Sequence, residues 1–197
     1  MKYFKKINKG LILTIIAILA VAIYTNILEK QRETEKNKIQ TACNEFIEYT
    51  NKYLVYPENM QILNEDIKAE DREKFYDEAE TELRKLMIEN DEAVKLQFTY
   101  FKSVIEQQNN KRSIKTKVDR KISKITGFEF DEDQVTVTFN SKIETTSKYL
   151  DSEEEKIKKD SNETSKDEII LKKVGEQWKV VSSNIQFYGY VNDTIMF

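Results

Sequence analysis

Residues 114–149 read IKTKVDRKISKITGFEFDEDQVTVTFNSKIETTSKY, and the spacing of apolar residues in this stretch decides the fold. Ile114, Thr116, Val118, Ile122, Thr126, Phe128 and Phe130 alternate with Lys115, Lys117, Asp119, Lys121, Ser123 and Glu129. Successive side chains leave a strand on opposite sides, so this pattern predicts a long strand with one buried face. Asp131-Glu132-Asp133 supplies a turn. Val135, Val137, Phe139, Ile143, Thr145 and Tyr149 then repeat the alternation against Thr136, Thr138, Asn140, Lys142 and Glu144. The two runs predict a long antiparallel hairpin.

Beyond the hairpin, the charged and serine-rich stretch Asp151 to Lys166 separates it from a third strand at Glu168 to Val174. Gly175-Glu176 gives a tight turn, and Gln177 to Ser183, with Trp178 and Val180 on one side, a fourth strand. Four strands in meander order result. The segment from Ile185 to Phe197 holds Phe187, Tyr188, Tyr190, Val191, Ile195, Met196 and Phe197, and is apolar for a terminus. Termini fray unless something holds them, which leaves two readings. The segment is a last strand or strap on the domain's own core, or it docks a partner through Tyr188, Tyr190 and Phe197.

Upstream of residue 114 the apolar spacing is three and four. Ile39, Ala42, Cys43, Phe46, Tyr49, Thr50 and Tyr53 form the stripe of one helix, which Pro57 and the following Glu58-Asn59 break. Asp71 to Ile88 forms a second, with Phe75, Ala79, Leu83, Leu86 and Met87 on one face. Asn90-Asp91 caps a third, with Val94, Phe98, Phe101, Val104 and Ile105 as its stripe, and Asn109-Asn110 ends it. This order predicts an α+β fold: three helices packed on a curved antiparallel sheet of about four strands. The aromatics Phe46, Phe75, Phe98, Phe101, Phe128, Phe130, Phe139 and Trp178 fall on its inward faces.

Ahead of the domain, Leu11 to Leu28 contains no charge and follows Lys2, Lys5, Lys6 and Lys9. Such a run carries about 27 Å of helix, close to the hydrocarbon thickness of a bilayer. Lysines stay on the cytoplasmic side. The expected organisation is a cytoplasmic head at 1–10, a transmembrane helix at 11–28, a helical stalk at 29–38, an extracytoplasmic domain at 39–187 and an apolar tail at 188–197. Within the stalk, Glu29/Arg32, Glu33/Lys36 and Glu35/Lys38 are spaced to meet on a helix surface. The competing reading is a secretory signal cut after Ala20-Val21-Ala22, which frees a chain starting at Ile23. Against it, Ile23, Tyr24, Ile27 and Leu28 prolong the apolar run past the cut. Cys43 lies too far downstream to be a lipid-modified cysteine.

The whole chain carries −3, and the four head lysines leave residues 29–197 with −7. An acidic surface repels phosphate backbones, which argues against a nucleic-acid partner. With one cysteine there is no internal disulfide. Cys43 reads as a small buried apolar residue or as half of an intermolecular bridge. There is no histidine, so the usual general base, the common triads and the commonest zinc ligand are missing. The acids of Glu70 to Asp77 and Glu153 to Glu155 read as solvated faces. Asp131-Glu132-Asp133 lacks the glycine and distal glutamate of a calcium loop. No residue is assigned to catalysis, to a cofactor or to a metal, and the expectation is a protein that is not an enzyme.

Three helices followed by a curved antiparallel sheet whose last strand carries Trp178-Lys179-Val180 resemble the nuclear transport factor 2-like, or cystatin-like, cone superfamily. A basic head, one membrane helix, a stalk and such a domain also resemble the bitopic assembly factors of type IV secretion and conjugation machines. The resemblance implies a protein that oligomerises and contacts other machine subunits. The expected function is a membrane-anchored, non-catalytic interaction module with protein partners or a homo-oligomeric state. The alternative is an exported module that binds a small apolar ligand or cell-wall fragment in the sheet cavity.

Overall fold

In a computed structural model, which describes residues 9–186, the period-two stretch forms strands β1 (Ser113–Asp131) and β2 (Gln134–Asp151). They pair antiparallel from Asp131↔Gln134 to Ser113↔Tyr149. On β2 the expected alternation holds: Val135, Val137, Phe139, Ile143 and Thr145 are buried, and Ser141 joins them. Strand β3 (Glu154–Val174) follows, then β4 (Gln177–Asn184), and the sheet order is β1-β2-β3-β4. The fold class is α+β, as the element order predicts.

Two expectations for the sheet need correction. The charged stretch before Glu168 is not a separator, because its residues form the first half of β3 and pair with β2 down to Asp151↔Glu154. Ser152 and Glu153 make the turn, both with positive φ (51° and 73°), the geometry of a two-residue hairpin whose twist matches its strands. Phe130 is not buried: it is 54% exposed, with Phe128 stacked on it at 6.4 Å between centroids. Both share the face of Val135 and Val137 across the ladder. They sit on an edge strand, however, with no further strand outside them among the described residues to complete the cover. Trp178 is half-buried, with Lys173 Nζ 5.9 Å from the ring centroid.

The alternation on β1 is broken by register shifts at Lys115/Lys117, Ile122/Lys124 and Ile125/Gly127. Each shift changes which parity of residue faces inward. Ile114 and Lys115, adjacent in sequence, are therefore both buried, as is Arg120.

By internal contacts the chain falls into two units, Met1–Gln40 and Thr41–Phe197. Helix α1 (Lys9–Tyr53) contributes to both. In the second unit, its residues Cys43, Phe46, Tyr49 and Tyr53 are buried together with helices α2 (Ala69–Leu86) and α3 (Asp91–Gln108). The helices meet through an aromatic layer. Phe46 lies 6.0 Å from Phe101, Tyr49 5.7 Å from Phe101, Tyr53 5.9 Å from Phe75 and Tyr76 6.3 Å from Phe98, ring centroid to ring centroid. Such offset and edge-on pairs contribute about 0.5–1.5 kcal/mol each beyond burial. The phenols that enter the layer are paired. Tyr49 donates to the Ala79 carbonyl (3.1 Å), Tyr53 to Glu78 (2.8 Å), and Tyr56 and Tyr76 share a hydrogen bond of 2.9 Å. Beneath them Val135, Val137, Phe139, Ile169 and Leu171 are fully buried and fill that half of the sheet face.

The helices end where local chemistry stops them. α1 closes at Tyr53 ahead of Pro57, which starts a single 3-10 turn. Asn90 caps α3, its side-chain oxygen accepting from the Glu92 and Ala93 amides at 3.0 and 3.1 Å. The chain between α2 and α3 also closes the sheet: Ile88 N donates to the Val180 carbonyl (2.9 Å), so the outer edge of β4 is covered at its middle.

Loss of a two-bond cap leaves helix amides unsatisfied. Asn90→Ala is expected to lower stability by about 1 kcal/mol, and Asn90→Ser by less than half of that, in urea titrations of the detergent-solubilised chain followed by tryptophan fluorescence.

Candidate functional site

The side-chain cluster that the sheet is built around was not visible as a motif. Arg120, from β1, reaches diagonally over β2 to β3. Its Nη1 donates to Asp167 Oδ2 at 2.9 Å and to Ser141 Oγ at 3.2 Å, with both charged side chains almost wholly buried (1% and 0% exposed). Ser141 and Thr164 hydroxyls also donate to Asp167 Oδ2. A carboxylate out of water needs several donors, and this one has three on a single oxygen. The Arg120 backbone is gripped from α1: its N–H donates to Asn51 Oδ1 (2.8 Å), and Asn51 Nδ2 donates to its carbonyl (2.9 Å). Burial pulls the Arg120 guanidinium down to about 10 against the pull of Asp167, which leaves it charged at neutral pH.

Backbone irregularity brings these residues together. The β2–β3 register shifts between Phe139↔Asp167 and Ser141↔Thr164, and Lys166, inside the bulge, has φ of +64°. Three positions apart on a regular strand, Thr164 and Asp167 would face opposite ways. The bulge puts both on the buried face.

The cluster holds the root of the C-terminal segment. Gln186 N–H donates to Asp167 Oδ1 (2.8 Å), the Arg120 Nη2 donates to the Gln186 carbonyl, and Gln186 Nε2 donates to the Ser165 carbonyl (3.2 Å). Ile185, just before it, is 1% exposed. The three residues expected to bind a partner, Tyr188, Tyr190 and Phe197, lie outside the described residues, two, four and eleven positions past Gln186 in the sequence.

Other surfaces of the domain are open. A groove of about 510 Å³ between α3 and β4 is lined by Ala93, Leu96, Tyr100 and Val181, with Leu96 77% exposed. A more polar cleft of about 320 Å³ lies where Tyr56, Asp66, Arg72 and Glu106 converge. Among the described residues no group of three or more acids or cysteines is placed to hold a metal ion. Cys43 is buried, and burial pushes its thiol up to about 12, so the nucleophilic thiolate is scarce.

The unit Met1–Gln40 shows the other expected feature. Among the described residues one helix is long and apolar enough to cross a membrane, and none of its apolar window is buried in the structure. Ile16, Ile18, Leu19, Val21, Ile23 and Tyr24 stand exposed around α1. In the stalk, Lys38 and Glu35 form the expected i,i+3 pair at 3.5 Å.

No family model matches the chain, and neither curated proteins nor solved structures include a match to it.

Removing one member of a buried ion pair strands the other. Asp167→Leu is expected to cost about 3–5 kcal/mol, and Arg120→Met/Asp167→Leu to be less destabilised than the sum of its single substitutions by about 1–3 kcal/mol in a urea double-mutant cycle. Lys115 gives a pH signature. Burial, only partly offset by Asp160, lowers its ammonium from 10.5 to about 8. The folded state therefore binds fewer protons than the unfolded chain between pH 8 and 10.5, and stability rises with pH there. From pH 8 to 10 the wild type is expected to gain about 2 kcal/mol relative to Lys115→Met.

Proposed function

We propose that this chain is a single-pass membrane protein with its N-terminus in the cytoplasm and its acidic domain outside. There it acts as a non-catalytic interaction module in a cell-envelope, secretion or conjugation machine. The domain is read as a member of the cone superfamily, with the helices laid across a curved sheet. The observation that carries the proposal is the apolar part of α1 from Thr14 onward, whose side chains are exposed and are covered by nothing among the described residues. A soluble protein rarely exposes an apolar patch of this extent, and a bilayer supplies the missing cover. The lysines ahead of it set the orientation.

Tethering suits a protein that works by contact, because confinement raises the concentration of a binder at its site. The partner surface is the C-terminal tail, through Tyr188, Tyr190 and Phe197. The residue at its root, Gln186, is held by the Arg120–Asp167 cluster.

In bacterial cells expressing the full chain, externally added protease is expected to digest the domain and spare a head fragment containing Lys2 to Lys9. Membrane crosslinking is expected to recover a homo-oligomer or a discrete partner, reduced at least tenfold by Tyr188→Ala/Tyr190→Ala/Phe197→Ala. A full-length chain in the cytosol, or an exported chain beginning at Ile23, overturns the tethered reading.

A further inference from the structure

The cleft where Tyr56, Asp66, Arg72 and Glu106 converge is framed by the start of α2, the end of α3 and the loop of residues 61–68. That loop is held in place. Asn64, with φ of +66°, donates its N–H to the Lys111 carbonyl (2.9 Å), and Lys111 Nζ lies 2.7 Å from Asp66 Oδ2. At the loop's other end Gln61 Nε2 donates to the Tyr56 carbonyl (2.6 Å). The hollow between these walls, about 320 Å³, falls at the small end of the range that takes a ligand.

The polar groups on the walls divide into spent and unspent. Asn109 Oδ1 accepts from the Lys115 amide (3.0 Å) and its Nδ2 donates to the Ile105 carbonyl (2.7 Å). Asn110 Oδ1 accepts from the Arg112 and Ser113 amides, each at 2.9 Å. Lys111 and Asp66 hold each other. Arg72 is different: among the described residues its guanidinium makes no ion pair and no hydrogen bond. Glu106 receives the Tyr76 hydroxyl at 3.3 Å and no cation among the described residues. The two charges do not pair with each other, yet both are felt at one atom. Burial raises the Tyr56 phenol, the Tyr76 hydrogen bond and Arg72 lower it, and Glu106 raises it.

An unspent cation and an under-used carboxylate beside one phenol complement a ligand that carries both signs close together. A guanidinium offers a planar fork that two carboxylate oxygens fit, and a carboxylate takes the N–H donors of an ammonium. An α-amino acid bears these two groups on one carbon. A peptide keeps just one of them at each end. A neutral sugar has neither, and the Asn109 amide that would read its hydroxyls is spent on the turn. Glu65 adds a further carboxylate to the wall, which turns away a simple anion. Ile62, 48% exposed, and Ile67 supply an apolar side.

We propose that this cleft binds a free α-amino acid with an apolar side chain, its carboxylate on Arg72, its ammonium on Glu106 and its side chain against Ile62 and Ile67. The site lies within the unit Thr41–Phe197, and the inference stands apart from the membrane anchor and the C-terminal tail.

Ligand-observed NMR titrations on the full chain in detergent test it with three probes: leucine, isocaproate, which is leucine without its ammonium, and isoamylamine, which is leucine without its carboxylate. Exposed ion partners give modest affinity, so leucine is expected to bind with a Kd of about 1 mM and each analogue about tenfold more weakly. Arg72→Gln and Glu106→Gln, both at exposed positions, are each expected to weaken leucine about tenfold. The losses are specific. In Glu106→Gln leucine and isocaproate bind alike, and in Arg72→Gln leucine and isoamylamine bind alike. Lys74→Gln, which removes an exposed charge of α2 outside the cleft, leaves leucine binding unchanged. Absence of saturable leucine binding overturns the proposal. Binding of either one-charge analogue as tightly as leucine overturns it too, as does leucine binding that both glutamine variants leave intact.

Discussion

The structure depends on a charge pair that water cannot reach. Taking a guanidinium and a carboxylate into an apolar core costs several kcal/mol per ion, and their attraction offsets this only when the remaining hydrogen-bonding capacity is met. That condition shapes the surroundings of Arg120 and Asp167. Ser141 and Thr164 spend their hydroxyls on the carboxylate, Asn51 of α1 brackets the Arg120 backbone, and Gln186 supplies an amide and a carbonyl. Three strands, the end of α1 and the exit from β4 are thereby joined through one cluster. An apolar replacement would pack as well but would not say which strand register is correct, since hydrophobic contacts are indifferent to direction.

The opposite wall of the core is held by another kind of contact. Aromatic rings from all three helices interleave, and the hydroxyl groups that come with tyrosine are carried to acceptors at the layer's margin, Glu78 for Tyr53 and Glu106 for Tyr76. Tyrosine can serve in this layer because its ring is apolar and its oxygen still finds a partner. The result is one core with two chemistries: aromatic between the helices, aliphatic on the sheet. The polar knot of Arg120, Ser141, Thr164 and Asp167 lies midway along β1, β2 and β3.

How far this was legible in the sequence follows from where the backbone is regular. β2 read correctly because the inward parity of Val135, Val137, Phe139, Ile143 and Thr145 is kept across Ser141 and the strand is paired on both sides. The three helices read correctly because their stripes recur at three and four, and because Pro57 and Asn90 mark ends by their own chemistry. The first half of β3 was hidden twice over. Its turn, Ser152-Glu153, takes positive φ without glycine or asparagine, and its faces are both polar because nothing in the described chain covers them. Arg120 and Asp167 were hidden by bulges, which move residues of the wrong parity inward. Phe130 obeyed the pattern and is exposed anyway, since alternation tells which face a residue takes but not whether anything lies over it. The buried cluster therefore had no sequence signal: Arg120 stands between Asp119 and Lys121, and Asp167 between Lys166 and Glu168, like any solvated charges. Tyr188, Tyr190 and Phe197 lie outside the described residues, and only their root is placed.

The three register shifts of β1 bear on a hazard that faces any sheet with a long unpaired border. A nineteen-residue edge strand would be a good template for stacking one molecule on the next if it were flat. Every shift kinks the strand and strengthens its local twist, so no long straight run of backbone is left for a neighbour to copy. The irregularities that obscured the reading of residues 114–130 thus have a colloidal consequence: molecules crowded side by side can touch along this border without zipping into fibres.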